Sequence, residues 1–226
     1  MRIIQFGVDS SSPREFLSKQ QIKNLGYFYT RIENPTYDHE PPLDKIFKNN
    51  KDLYIGLTKN YEDFGLTPRH YGCWLGHRQA ISLGFCEGGH FLVCEGDAKI
   101  LDVDLFNKRL EEATTLLDNT TYPLVSFSEP NWRTTTQFFD KVSDNLWEYD
   151  NIINAHCYLV NGNSKHIFDW LYKNIGWHAF DWWLNYAIAD YIQTHPDEKC
   201  RQLCFKEKIT MQHDGYSEID KIIKNY

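Results

Sequence analysis

Two carboxylates follow a short apolar segment near the middle of the chain. Residues 91–94 are Phe-Leu-Val-Cys, a composition typical of a buried β-strand, and Glu95, Gly96 and Asp97 come directly after it. Ligands of open α/β sheets gather at the carboxyl ends of strands, so we expect these acids at such an edge. Carboxylate oxygens suit a hard divalent cation, Mn²⁺ or Mg²⁺, whose coordination is commonly completed by substrate phosphates. A solvated acidic turn has the same sequence, and the motif alone does not separate the two.

Several other motifs lie before and after this turn in a definite order. Upstream is a predicted helix, whose start is marked by Thr67 and Pro68. The residues of interest in this helix and downstream of the turn are Gly72, Cys73, His77, Tyr158, Asp181, Gln212, Ser217 and Ile219. Together with Glu95 and Asp97, and in this order, they resemble glycosyltransferase family 25, the lipopolysaccharide-biosynthesis and collagen galactosyltransferase family, over most of the chain.

The chain departs from the family pattern in three places. The family has a serine before the histidine of its helix, where this chain has Gly76, and a middle acid in its E-D-D turn, where this chain has Gly96. The amino-terminal strand and arginine-containing loop of the family are echoed only by residues 3–8, Asp9 and Arg14. Because the flanking acids of such a turn hold the metal, the missing middle acid removes one negative charge without necessarily abolishing metal binding.

The resemblance implies a metal-dependent hexosyltransferase that moves galactose or glucose from a UDP-sugar to a hydroxyl group, with inversion. The implied acceptor is a lipooligosaccharide or another glycan. The implied site residues are Asp97, Glu95 and His213 for the metal, Asp9, Arg14, His77 and Glu95 for the donor, and Asp181 as catalytic base. From its apolar neighbours, His77 is expected to be packed and to orient a neighbour near the donor. His213 is either a further metal ligand or a solvent-exposed histidine.

Tryptophans are concentrated in the second half of the chain, where an indole face could stack on the C–H face of a sugar. Trp182 and Trp183 are adjacent and cannot both face the core from one helix, so one of them is a candidate platform for the acceptor. Trp132 is a further candidate. Asp181 precedes the pair at the predicted helix start, where it can act as a cap or as the base that takes the acceptor proton.

Composition limits the class of protein. The 226 residues, 42% of them hydrophobic, are enough for one domain with a sizeable core. Lysine and arginine number 24 against 31 acids, so the net charge of −7 gives no general attraction to nucleic acid or anionic membrane. We find no signal peptide and no apolar run approaching the ~20 residues of a membrane span, which predicts a cytoplasmic protein.

The six cysteines show no C-x-x-C pair, which favours reduced core thiols over disulfides or zinc. Cys200 and Cys204, with His195, are the nearest approach to a metal-binding cluster along the sequence.

The predicted fold is α/β, a GT-A-like single domain over residues 1–226 with a mostly parallel central sheet flanked by helices. Residues 1–110 are expected to form the donor half and residues 111–226 the acceptor half. Strands are predicted at residues 3–8, 27–32, 52–57, 91–94, 124–127, 158–160 and 203–205. Helices are predicted at residues 13–25 behind a serine cap, and at 67–85, 103–117, 164–174 and 181–193.

Two other functions fit the same residues. A compact transferase of this kind could glycosylate a hydroxymethylated base in DNA, although the net charge of −7 argues mildly against it. The second alternative is a catalytically silent carbohydrate-binding or scaffold protein descended from such enzymes. The glycines at positions 76 and 96 are the observations that favour it.

Overall fold

The computed structural model describes residues 1–8, 11–34, 68–128, 138–149, 155–198, 200–213, 215–217 and 222–224. Several residues singled out above lie outside these ranges, namely Asp9, Thr67, Trp132, Ile219 and the predicted strand at 52–57.

Helices and strands alternate at the start of the described chain, whereas later strands follow one another in groups. The strands are β1 (Arg2–Gly7), β2 (Phe28–Glu33), β3 (Phe91–Glu95), β4 (Ala98–Ile100), β5 (Leu124–Ser126), β6 (Phe138–Lys141), β7 (Leu146–Tyr149), β8 (Cys157–Val160), β9 (Gln202–Phe205), β10 (Thr210–Gln212), β11 (Gly215–Ser217) and β12 (Ile222–Lys224). The helices are α1 (Pro13–Lys23), α2 (Pro68–Glu87), α3 (Val103–Asp118), α4 (Lys165–Asn174) and α5 (Phe180–Thr194), with a 3-10 turn at Gly162–Ser164.

The central sheet has eight strands in the order β2-β1-β3-β8-β5-β9-β7-β6 among the described residues. The pairs β1–β2, β1–β3 and β5–β9 are parallel, and the other four pairs are antiparallel. Since only β7 and β8 are reversed by these pairings, the remaining strands all run in one direction. The predicted α/β class with a mostly parallel central sheet is therefore confirmed.

Helices cover both faces of this sheet. On β1 the side chains alternate, since Ile3 belongs to one buried cluster and Ile4 to the other. One face packs against α2, α4 and α5 through residues such as Ile81 and Leu184. The opposite face packs against α1 and α3 through residues such as Leu110. This three-layer arrangement buries both sides of the inner strands β3, β5, β8 and β9, which explains their largely apolar sequences.

Two differences from the sequence prediction concern α1 and the acidic turn. Ser12 occupies the N-cap position of α1, but its side chain makes no capping hydrogen bond. The short strand β4, not predicted from the sequence, follows the acidic turn and pairs with β10 in a separate two-stranded sheet. This pairing brings Gln212 opposite Ala98 and thereby attaches the carboxyl-terminal part of the chain to the turn.

Candidate functional site

The acidic turn lies at the carboxyl edge of the parallel strands. Glu95 is the last residue of β3 and is in register with Phe6 near the end of β1, so both strands finish at the same edge. The next strand, β4, starts at Ala98, and the backbone N–H of His213 donates to the carbonyl oxygen of Asp97 over 2.8 Å. The sequence thus placed these acids correctly, and His213 is adjacent to them.

Glu95 is bound on both carboxylate oxygens. His77 Nε2 is 3.1 Å from Oε1, and the Gln212 amide donates to Oε2 over 3.2 Å. The Cys73 thiol is 3.6 Å from Oε1. His77 Nδ1 is 2.8 Å from the hydroxyl of Tyr158. A neutral imidazole protonated at Nε2 satisfies both contacts, with the Tyr158 hydroxyl donating to Nδ1 and His77 donating to Glu95.

The charges of this network follow from burial and hydrogen bonding. Burial lowers the pKa of His77, which is 1% exposed, so the ring is neutral at neutral pH. Burial by itself raises the pKa of Glu95, but the hydrogen bond from His77, electrostatic interaction with His77 and His156, and the hydrogen bond from Gln212 together outweigh it and hold that pKa below its usual range. Burial also holds the pKa of Tyr158 well above its usual value, so its hydroxyl remains a donor. Glu95 is accordingly an ionised carboxylate next to the neutral side chains of His77 and Tyr158.

Asp97 is also buried, and its partner is an arginine. Arg14, in the first turn of α1, lies 3.1 Å from Asp97 Oδ2. Burial raises the pKa of Asp97, the charge of Glu95 raises it further, and Arg14 opposes both. The predicted donor residue Arg14 is therefore in the site and forms an ion pair with an expected metal ligand.

A third carboxylate, Glu15, fills the space beside Gly96. A Cβ atom at position 96 would lie 2.6 Å from Glu15 Cδ, and a Cβ atom at Gly7 would lie 2.4 Å from Glu15 Oε2. The Val8 N–H donates to Glu15 Oε1 over 3.1 Å, and Arg31 from β2 is paired with Oε2. An acid from α1 therefore occupies the volume that a side chain at the middle position of the turn would fill.

The second departure, Gly76, also has a steric cause. A Cβ atom there would lie 2.5 Å from the ring of Phe6 and 2.8 Å from the amide nitrogen of Asn34. Asn34 follows β2 and donates to the carbonyl oxygen of Gly72 over 2.9 Å, which joins the sheet edge to α2. A serine at position 76 would displace both neighbours.

The start of α5 adjoins this network. The ring of Phe180 stacks on His77 with centroids 3.7 Å apart and an interplanar angle of 9°. Asp181 comes next, and its Oδ1 accepts from the backbone N–H of Trp182 over 2.9 Å. The pKa of the Cys73 thiol is raised mainly by burial, then by the negative charge of Glu95 and then by the negative charge of Asp181. Asp181 therefore lies in the same electrostatic neighbourhood as Glu95.

Of the two adjacent tryptophans, one is buried and the other is exposed, as expected for neighbouring positions on one helix. Trp183 is 0% exposed and packs in the core, with its ring stacked on Tyr172 at 4.9 Å, so it cannot serve as a surface platform. Trp182 is 42% exposed, and its ring lies 5.8 Å from that of Tyr186 one turn later. The structure corrects the expectation for Trp183 and leaves Trp182 as the available face, with Tyr186 beside it.

Two residues of the site escaped the sequence analysis. Glu15 and Arg31 meet only because β1, α1 and β2 fold against each other, and neither belongs to a motif. The exposed apolar side chains on α1, Phe16 and Leu17, gave no indication that Glu15 lies on the buried face of this helix. The one available signal was the position of Glu15 directly after the singled-out Arg14.

Comparisons with known proteins give a distant structural likeness. No family model matches the chain, and no curated protein sequence matches it. A solved structure of a glycosyltransferase involved in the glycosylation of the major capsid of PBCV-1 is similar over 97% of this chain and 96% of that one, with 13% identity and a TM-score of 0.48. Similarity at this level assigns no activity to this chain. None of the helices in the described ranges has the length and apolar character of a membrane-spanning segment.

Proposed function

We propose that this chain is a metal-dependent glycosyltransferase that moves galactose or glucose from a UDP-sugar to a hydroxyl group of a glycan, with inversion. The supporting observation is the convergence of Glu95, Asp97, His213 and Asp181 at one sheet edge, although they come from distant parts of the sequence. The GT-A designation, the donor and acceptor halves and a cytoplasmic location belong to the same proposal.

The donor site is proposed at the carboxyl ends of β1 and β3. This is the edge where α/β sheets bind nucleotides. Arg14 is suited to a diphosphate because a guanidinium can make paired hydrogen bonds to phosphate oxygens. Its present partner is Asp97, at 3.1 Å. Arg14 would therefore exchange a carboxylate for a phosphate when the donor binds.

The residues present fit a divalent cation in their donor chemistry. Glu95 and Asp97 offer carboxylate oxygens and His213 offers an imidazole, a set that suits Mn²⁺. Both carboxylates are largely buried, with side-chain exposures of 18% and 8%. When bound, the cation would neutralise negative charge on the departing diphosphate. Gln212 and His77 hold the Glu95 carboxylate in a fixed orientation, as a ligand requires.

Asp181 is the proposed base. It lies in the first turn of α5, where the positive end of the helix dipole favours the ionised carboxylate needed to accept a proton. The exposed face of Trp182 follows directly and would hold the acceptor sugar by stacking. In this arrangement, Asp181 takes the proton of the acceptor hydroxyl as its oxygen attacks the anomeric carbon.

A thermal-shift panel tests the proposal. Nucleotide diphosphate sugars are added with and without Mn²⁺, and a bound donor at a hundredfold excess over Kd should stabilise the chain by ~2.7 kcal/mol. We expect UDP-galactose or UDP-glucose to raise Tm only in the presence of Mn²⁺. No shift with any nucleotide sugar would contradict a transferase and favour the silent scaffold. Transfer to hydroxymethylated DNA instead of a glycan would keep the reaction but replace the acceptor.

A further inference from the structure

We propose that Cys73, His77 and Glu95 form a binding site for a soft divalent metal ion of the zinc type. The ligand atoms Sγ, Nε2 and a carboxylate oxygen of these residues all lie within 4.8 Å of one another. The site shares Glu95 and His77 with the proposed donor site but uses neither Asp97 nor His213.

Two of the three separations between these ligand atoms are close to those of a tetrahedral zinc centre, and the third, between Cys73 Sγ and His77 Nε2, is within 4.8 Å. Zinc bonds of ordinary length imply separations of about 3.6 Å between sulfur and oxygen ligands and about 3.4 Å between nitrogen and oxygen ligands. In the structure, Cys73 Sγ is 3.6 Å and His77 Nε2 is 3.1 Å from Glu95 Oε1. These two separations support a zinc site at Glu95 Oε1.

The ligands are also held in place. Cys73 and His77 are four residues apart on α2 and project from the same face of the helix. Stacking on Phe180 fixes the ring plane of His77, and the Tyr158 hydroxyl lies 2.8 Å from Nδ1. Metal-bound histidines commonly have such a partner on the other ring nitrogen.

The chemistry of the set selects the ion. A thiolate, an imidazole and a carboxylate favour Zn²⁺ over the harder Mn²⁺ and Mg²⁺. On binding, the Cys73 thiol releases its proton to solvent. The proton of His77 moves from Nε2 to Nδ1, and the resulting Nδ1–H donates a hydrogen bond to the Tyr158 oxygen. The thiolate and carboxylate together balance the two positive charges of the ion. Cys73 and Glu95 are both partly exposed, which provides an entry path.

A consequence for catalysis follows if the proposed function holds. Zinc at Cys73, His77 and Glu95 would remove Glu95 from the donor site and lower Mn²⁺-dependent donor binding. The zinc site itself does not depend on that function, because its ligation can be observed without any nucleotide.

Cobalt is the probe for this site. Titration of the full chain with Co²⁺ should produce a thiolate-to-cobalt charge-transfer band at one equivalent, and Zn²⁺ should displace Co²⁺ and remove the band. Cys73→Ser should eliminate the band, whereas Cys86→Ser, which alters an exposed cysteine of the same helix, should retain it. Asp97→Asn should also retain it, which separates this site from the proposed donor metal.

Two further variants keep the ligating thiol. Glu95→Gln should weaken Zn²⁺ binding at least tenfold through loss of a ligand, and Tyr158→Phe should weaken it by about tenfold through loss of the partner of His77. Circular dichroism confirms that each variant is folded. The absence of a band in the wild-type chain, a band that survives in Cys73→Ser, or an unchanged Zn²⁺ affinity in Glu95→Gln would each overturn the proposal.

Discussion

The carboxylate of Glu15 lies where a side chain at position 96 would begin. A Cβ atom on Gly96 would be 2.6 Å from Glu15 Cδ, well inside the van der Waals distance. Glu15 cannot easily withdraw, because it accepts from the backbone N–H of Val8 and is paired with Arg31. The glycine at position 96 and the buried glutamate at position 15 are therefore sterically linked.

Restoring the middle acid should destabilise this protein. Gly96→Asp forces Glu15 out of its contacts, and overpacking of this kind costs about 1–3 kcal/mol. In a Glu15→Ala background the same substitution should cost less, because the space is then free. Chemical denaturation of the wild type, both single variants and the double variant gives the coupling free energy. A coupling energy near zero would show that the two positions do not compete for space.

Asp181→Asn separates catalysis from local structure. Asparagine keeps the oxygen that accepts from Trp182 N–H but cannot take a proton, so Tm and donor binding should change little. Turnover should fall by roughly 10²-fold or more. Steady-state kinetics with the identified donor and acceptor provide the measurement. Turnover close to that of the wild type would make Asp181 structural and direct the search to Glu129, Asp150 and Asp214, which lie outside the described residues.

The adjacent tryptophans form a matched pair. Trp183→Ala removes a fully buried ring and should cost about 3–5 kcal/mol of stability, whereas Trp182→Ala removes a ring that is 42% exposed and should cost far less. If Trp182 stacks on the acceptor, its loss should raise the acceptor KM while leaving donor binding unchanged. An unaltered acceptor KM would remove Trp182 from the acceptor site.

Local patterns predicted most elements that pack by their own apolar sequences. The apolar run of β3 and the alternating units β1, α1 and β2 were placed within about two residues. The strands β4, β6, β7, β10, β11 and β12 were not predicted. Each has only three or four residues, and β4 is defined by its pairing with β10 across more than 100 residues of chain.

The candidate site was likewise predictable only where its residues belong to motifs. Glu95, Asp97, His77 and His213 came from motifs, and the structure brings them close together. The Glu15–Arg31 pair depends on how α1 packs between two strands, which no local pattern encodes. The burial of Trp183 rather than Trp182 depends on which side of α5 faces the sheet. Because both residues are tryptophans, the sequence did not indicate which of them is buried.

His178 makes stability depend on pH. Burial, together with the positive charge of His70, lowers the pKa of His178 from 6.5 to about 4. The unfolded chain therefore binds the proton more readily, and stability present above pH 6.5 is lost as the pH falls toward 4. His178→Gln should reduce this slope by up to about 1.4 kcal/mol per pH unit.

The measurement for His178 is denaturation at several pH values. Burial also lowers the pKa of His77 and raises that of Asp97, with opposite effects on the slope, so the informative quantity is the difference between wild type and variant. His166→Gln, which removes an exposed imidazole, is the matched control. Identical slopes for wild type and His178→Gln would contradict a buried neutral His178.

The most direct test of the central claim is calorimetry of UDP binding with and without Mn²⁺. In the wild type, Mn²⁺ should strengthen binding. Asp97→Asn retains a polar partner for Arg14 and should fold normally, but it should lose the Mn²⁺ dependence. Asp144→Asn, a charge change at an exposed position, should behave as the wild type. Mn²⁺ that still strengthens UDP binding to Asp97→Asn by the wild-type factor would contradict a donor metal site at this turn.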